Sequence, residues 1–255
     1  MRNVVAIFEK EIKSYFKSPV AYGLLAFFAL LAGFFFYFST AFFVQRSFES
    51  QFSGRGMPMD VNEWVIRPTL MNLSVVGLFI IPMITMRLFA EEKRSGTFEL
   101  LATSPVRDLE IILGKWLAAV VMYFIILLFS AINYALLFAY GKPDLKPLLV
   151  GYLGLLLQGS ALLAIGTFIS TTSRNQIIAG SATFAVCLLL WLLSWLTSFD
   201  AARWAQVVGY ASVLTHFEPF AKGVLDSKDI VYYLTVIFFG LFLTSRSLES
   251  VRWRA

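Results

Sequence analysis

Charge is what this chain has least of. Only 15% of its 255 residues are Asp, Glu, Lys or Arg, against about 25% in ordinary soluble domains. The missing charges are missing together. Residues 20–44, 68–86, 116–140, 147–173 and 175–199 contain none, and 230–245 is a sixth, shorter run. A charge at the centre of a bilayer costs about 2.5–3.5 kcal/mol on insertion scales. A helix rises about 1.5 Å per residue, so roughly 20 apolar residues cross a hydrocarbon layer about 30 Å thick. Uncharged runs of this length exclude a water-soluble fold. They predict an all-α membrane protein with six transmembrane helices, the last at the short limit, in one domain spanning 1–255.

Other absences narrow the chemistry. There is one cysteine, Cys187, so no disulfide forms within the chain. There is one histidine, His216, and with a lone cysteine a histidine- or cysteine-rich metal site is excluded. No uncharged run holds a carboxylate, so an intramembrane proton relay has no obvious carrier. The phosphate-cradling loop of an ATPase, G-x-x-x-x-G-K-[ST], is missing. The only Gly-Lys pairs are Gly114-Lys115-Trp116 and Gly141-Lys142-Pro143, and neither continues into Ser or Thr. No catalytic group, metal or cofactor is therefore expected in this chain. A basic stripe with interleaved aromatics is also lacking, so no nucleic-acid partner is expected.

What is present starts with residues 1–18. Val4, Phe8, Ile12 and Tyr15 recur at helical spacing, with Lys10, Lys13 and Lys17 opposite. This predicts an amphipathic helix in the interface, apolar side down; an extension of the first span is the other reading. Ser18-Pro19 ends it. Seventeen residues of mixed charge before a 25-residue uncharged run do not make a cleaved signal.

Six spans put both termini on one side. Residues 1–18, 87–115, 171–175 and 246–255 hold 13 Lys and Arg in 62 positions; 45–67, 141–146 and 200–229 hold 8 in 59. The more basic side is expected to be cytoplasmic. The segment 45–67, with Gly54, Gly56 and Pro58, reads as a polar loop. Within 200–229, residues 204–217 are uncharged but too few to cross, which predicts a re-entrant or interfacial piece. His216 titrates near neutral pH when free, but at a membrane edge it reads first as a structural hydrogen-bonder.

Residues 87–115 interleave charged and apolar residues over a length no simple connector needs. Gly96 interrupts one helix. Phe98, Leu100 and Leu101 form an apolar patch flanked by Glu91, Glu92, Arg94 and Glu99. Ser104 and Pro105 suit the N-cap and first position of a second helix. A docking surface and a basic hairpin on lipid headgroups both fit this pattern. Inside the runs, Gly166 and Ser170, and Ser181 and Ala185, are small residues four apart that let helices approach. Asn72, Ser74, Asn133 and Gln158 read as packing or as path-lining groups. Pro82 is expected to kink the second span. The first run is rich in phenylalanine, read as lipid-facing or packed.

The string Glu91-Glu92-Lys93-Arg94-Ser95-Gly96-Thr97-Phe98-Glu99-Leu100-Leu101, with Thr103-Ser104-Pro105-Val106 and Gly114-Lys115, resembles the cytoplasmic loop of type-two ABC-transporter permeases, including one associated with gliding motility. His216-Phe217-Glu218-Pro219-Phe220-Ala221-Lys222-Gly223-Val224, followed by Asp229 and Tyr232, looks like the same family, as does Arg246-Ser247-Leu248-Glu249-Ser250. The resemblance covers essentially the whole chain. It implies a coupling helix within 91–105 that docks on an ATP-binding subunit, a connecting helix at 1–18 and an outer re-entrant segment carrying His216, Glu218, Pro219, Lys222 and Gly223. It implies two ATP-binding subunits holding ATP and Mg, a second permease subunit as homodimer or heterodimer, and a bacterial inner (cytoplasmic) membrane. An exporter is the first functional expectation. A non-transporting scaffold or motor component using an ABC ATPase is the alternative, and an ion-coupled secondary transporter is a third.

Overall fold

A computed structural model describes residues 2–52, 60–97, 106–140, 143–199 and 203–252. They form helices α1 (Arg2–Lys17), α2 (Pro19–Phe52), α3 (Arg67–Thr85), α4 (Ala90–Ser95), α5 (Asp108–Tyr140), α6 (Leu145–Thr172), α7 (Gln176–Phe199), α8 (Arg203–Gly209), α9 (Val213–Ala221) and α10 (Ser227–Arg252), and no strand is found among the described residues. Six of them, α2, α3, α5, α6, α7 and α10, lie in stretches long and apolar enough to cross a membrane. Six crossings bring both chain ends to one end of the bundle, called here the near end; the opposite one is the far end.

The helices outrun the uncharged stretches. α2 continues to Phe52, carried past Val44 by local pairs, Gln45 to Glu49 at 3.3 Å and Arg46 to Glu49 at 3.8 Å. A π-helical turn, Asn62–Ile66, then feeds α3. The segment expected to be a polar loop is thus helical on both flanks, and residues 53–59, with Gly54, Gly56 and Pro58, lie outside the described residues. α5 starts at Asp108, where Asp108 and Glu110 suit the positive end of a helix. α10 extends beyond residues 230–245 at both ends, which removes the shortness of the sixth run.

Between these helices α6 is the hub, packing on α3, α5, α7, α9 and α10. Its glycines are notches. A Cβ built on Gly151 would lie 2.3 Å from Leu70, on Gly154 2.5 Å from Phe220, on Gly159 2.1 Å from Tyr123 and on Gly166 2.5 Å from Thr85. Lipid offers no hydrophobic drive between helices, so such close approach supplies the attraction. Polar groups in this core meet each other: Ser74 donates to Gln158 at 2.9 Å, Ser130 and Tyr152 are 2.8 Å apart, and Thr171 donates to Ser247 at 2.7 Å. Gly166 and Ser170 both pack inside, whereas Ser181 and Ala185 are exposed on α7. The phenylalanines of α2 divide by face: Phe28 and Phe36 are buried, Phe27, Phe34 and Phe38 exposed. Pro82 sits in the last turn of α3, and the helix gives way three residues later to a turn over 86–89.

Candidate functional site: a charged knot and a docked hairpin

At the near end, α1 lies along α5. Its apolar side chains Ile7, Phe8, Ile12 and Phe16 pack against the protein core, so the face expected to sit on lipid is turned to the bundle. Gly114 explains the change: it leaves so little bulk that Ile7 and the Val4 carbonyl occupy the place of a side chain, with Ile7 within 2.8 Å of where a Cβ would be. Asn3 donates to Glu110 at 3.1 Å, and the buried Tyr15 hydroxyl donates to the Ile84 carbonyl at 3.3 Å. Burial pushes the Tyr15 phenol well above its ordinary pKa.

One residue after Gly114 stands Lys115, 2% exposed. Its ammonium donates to Leu88 O at 2.7 Å, to Glu11 at 2.8 Å and to Glu92 at 2.9 Å, and lies 5.2 Å from the centre of the Phe89 ring. Those partners come from α1, the 86–89 turn and α4. A buried ammonium has three protons to place, and all three are used. Lys10 adds a fourth charge, 3.4 Å from Glu92. α4 is pinned from behind as well. Ser170 of α6 accepts from the backbone N–H groups of Phe89 and Ala90 at 3.1 and 3.2 Å, taking the part an N-cap would play. Lys93 donates to the Thr171 carbonyl. Arg87 ties Ser18 at 3.3 Å to Glu91 at 3.5 Å.

The expected docking residues therefore divide. Glu92 turns inward to Lys115, while Glu91, Arg94, Ser95, Gly96 and Thr97 are exposed on the outer side of the knot. Gly96, with φ 73°, is the left-handed residue that closes α4. Phe98, Glu99, Leu100, Leu101, Ser104 and Pro105 lie outside the described residues. Lys115 was visible in the sequence only as half of a Gly-Lys pair. Its signal was position, since a lysine one residue before an uncharged run needs a partner if the helix starts earlier.

At the far end, α8, a short turn and α9 form a hairpin. Ser212 caps α9 by accepting from the Leu214 N–H at 3.2 Å. α9 buries Val213, His216, Phe217, Phe220 and Ala221. Phe217 and Phe220 press on Gly154, seven residues or about 10 Å along α6 from Pro147. The first turns of α10 hold the hairpin through one face, Asp229, Tyr232 and Tyr233, at i, i+3 and i+4. Tyr232 donates to Ala211 O at 2.7 Å and Tyr233 to Val213 O at 2.8 Å. Asp229 meets His216 at 2.6 Å. Glu218 joins Arg67 of α3 at 3.0 Å and Lys222 at 2.8 Å. The Lys222 hydrogen bond, with Arg67 adding, holds the Glu218 carboxyl below its ordinary range. Pro219 lies inside α9, and Gly223, φ 78°, ends the segment against Pro147. The expected far-end residues His216, Glu218, Pro219, Lys222 and Gly223 thus sit on or just beyond one short helix. They face different neighbours.

A model for the family described as ABC-2 family transporter protein matches residues 5–218. Two curated relatives, from Escherichia coli strain K12 and from Escherichia coli O157:H7, are each described as a probable multidrug ABC transporter permease, YbhR. Each is 26% identical over 177 residues, which is 67% of this chain and 46% of the relative. The chain thus spans about half the length of the curated relatives it matches.

Proposed function

Because this chain belongs to the ABC-2 family of transporter proteins, we propose that it is the membrane permease subunit of an ATP-driven exporter in a bacterial inner membrane, with both termini cytoplasmic. The observation that carries the coupling reading is the Lys115 knot. A six-residue helix cannot hold itself in place. Here α4 is fastened to α1, α5 and α6 and still offers Glu91, Arg94, Ser95 and Thr97 outward. A push on that surface moves three helices together. With no phosphate loop in the chain, ATP and Mg belong to a partner, an ABC ATP-binding subunit present in two copies. Six helices make half of a path, so a second permease subunit, identical or related, completes it. The uncharged runs of the spans and the multidrug description of the relatives support an amphiphilic cargo. The roughly 10 Å descent of α9 along α6 supports a re-entrant outer hairpin.

The test is reconstitution. The chain alone should not hydrolyse ATP, and co-expression with a candidate ABC ATPase should give vesicles with ATP-dependent uptake of an amphiphilic dye. Stimulated hydrolysis with no cargo movement would favour a mechanical scaffold, and flux driven by an ion gradient without the ATPase would remove the proposal. Glu91→Lys combined with Arg94→Glu should lower the melting temperature by no more than the loss of one surface ion pair, Arg87 with Glu91, and return ATP hydrolysis to the level of the ATPase without permease, since both residues are exposed and charge reversal opposes a complementary partner. Full stimulation in that variant would move the docking surface elsewhere.

Orientation is tested by labelling. In a Cys187→Ala background, Ser227→Cys should react with an impermeant thiol reagent in intact cells, and Ser250→Cys only after permeabilisation. Both positions are exposed, at opposite ends of α10. The reverse pattern would place the termini outside.

A further inference from the structure

Both ring nitrogens of His216 face oxygens that accept. Nε2 lies 2.9 Å from the Tyr210 carbonyl oxygen, and Nδ1 lies 2.6 Å from Oδ1 of Asp229. A carbonyl oxygen has no proton to give, so Nε2 must carry one. A neutral imidazole has only that one. Its Nδ1 would then turn a lone pair toward a carboxylate oxygen. The two side chains are 2% and 1% exposed, so water does not relieve the repulsion. The contact needs a second proton between Nδ1 and Oδ1.

We infer that His216 and Asp229 are a proton-binding site: the docked hairpin holds an imidazolium against a carboxylate, and lifting the hairpin from α10 releases a proton. Free imidazole is a far stronger base than a free Asp carboxylate, which places the shared proton on nitrogen. The surroundings agree. Tyr232 stacks its face on the ring at 3.8 Å, and an aromatic face favours a cation; Tyr210 stands perpendicular to the ring at 4.7 Å. Tyr233 of α10 stands 6.5 Å away, with Tyr123 of α5 near it. The other charges nearby are engaged: Lys228 with Asp226 at 3.0 Å, and Glu218 of α9 with Arg67 of α3 and with Lys222. α6 meets α9 at Gly154, and α7 carries no Asp, Glu, Lys or Arg from Gln176 to Phe199. Asp229 Oδ2 has no hydrogen-bond partner among the described residues. The imidazolium is therefore the nearest counter-charge of this carboxylate, with Lys228 acting from farther off.

His216 is the chain's one histidine, so 15N-histidine labelling of the full chain in nanodiscs gives a single imidazole to read. With the hairpin docked, both ring nitrogens should appear as N–H. In Asp229→Asn the Asn amide donates to Nδ1, and the neutral Nε2–H tautomer satisfies both contacts. That variant should show one protonated nitrogen with the hairpin still docked, as read by hydrogen exchange over residues 210–221. Corrected for intrinsic exchange, protection of 210–221 should fall in the wild type as pH rises and stay level in the variant. A wild-type ring with a bare Nδ1 while the hairpin is protected overturns the inference, as does wild-type protection that ignores pH. If Asp229→Asn fails to assemble, the wild-type spectrum and its pH series decide alone.

Discussion

Lys115→Met is expected to destabilise the near end by about 3–5 kcal/mol, the usual cost of removing one partner from a buried ion pair. Glu11 and Glu92 would face each other with 14% and 13% exposure and no ammonium between them. Leu88 O would lose its donor. The loss should appear as a lower unfolding midpoint in detergent and as faster hydrogen exchange in α1 and α4, with α7 unaffected. Adding Glu11→Leu and Glu92→Leu should recover most of the midpoint, because an apolar replacement of a whole buried ion cluster is often neutral or stabilising. A Lys115→Met protein as stable as the wild type would mean the knot is solvated and without structural weight. Glu92→Lys belongs with this experiment. It sets a second ammonium beside Lys115, so its first effect should be on folding and only through that on a partner.

Gly159→Ala is expected to cost about 1–3 kcal/mol, the range for overpacking a tight core. The added carbon would fall 2.1 Å from Cε1, 2.6 Å from Cδ1 and 2.8 Å from Cζ of Tyr123, a buried ring with little room to retreat. Gly23→Ala is the matched control: its Cβ would meet nothing within 4 Å. That change should be neutral or slightly stabilising, since alanine is the better helix former. A smaller residue at 123 should relieve the clash, so Gly159→Ala with Tyr123→Leu should show coupling of opposite sign to the single losses. Equal effects at Gly159 and Gly23 would remove the notch interpretation of α6.

The spans were legible because bilayer physics writes them in long words: runs without charge leave little to interpret. The exit at Ser18-Pro19 and the role of Gly96 were equally readable, since each rests on local backbone chemistry. The inward turn of α1 was not. An apolar stripe looks the same whether it meets lipid or protein, and what decided between them was Gly114, about a hundred residues away. The inward turn of Glu92 to Lys115 is hidden in the sequence for a related reason. Glu91 and Glu92 are neighbours of one type, and only the helix phase of α4 with Lys115 behind it separates their roles. His216 was read as a structural hydrogen-bonder, and its geometry agrees. That both its partners are acceptors could not be seen without Tyr210 O and Asp229 in place.

The length of α2 has a consequence for the shape of the far end. Its 34 residues extend about 51 Å, while the hydrocarbon layer is about 30 Å thick. Laying the whole helix within that layer would require a tilt of about 54°, beyond the 0–40° that membrane helices adopt. So the helix stands proud of the lipid. Residues 45–52, a little over two turns with Arg46 and Glu49 in a water-facing pair, project about 12 Å. The far end is therefore not flat: α2 rises above the lipid there as a post fixed to the bundle below it through α3 and α5.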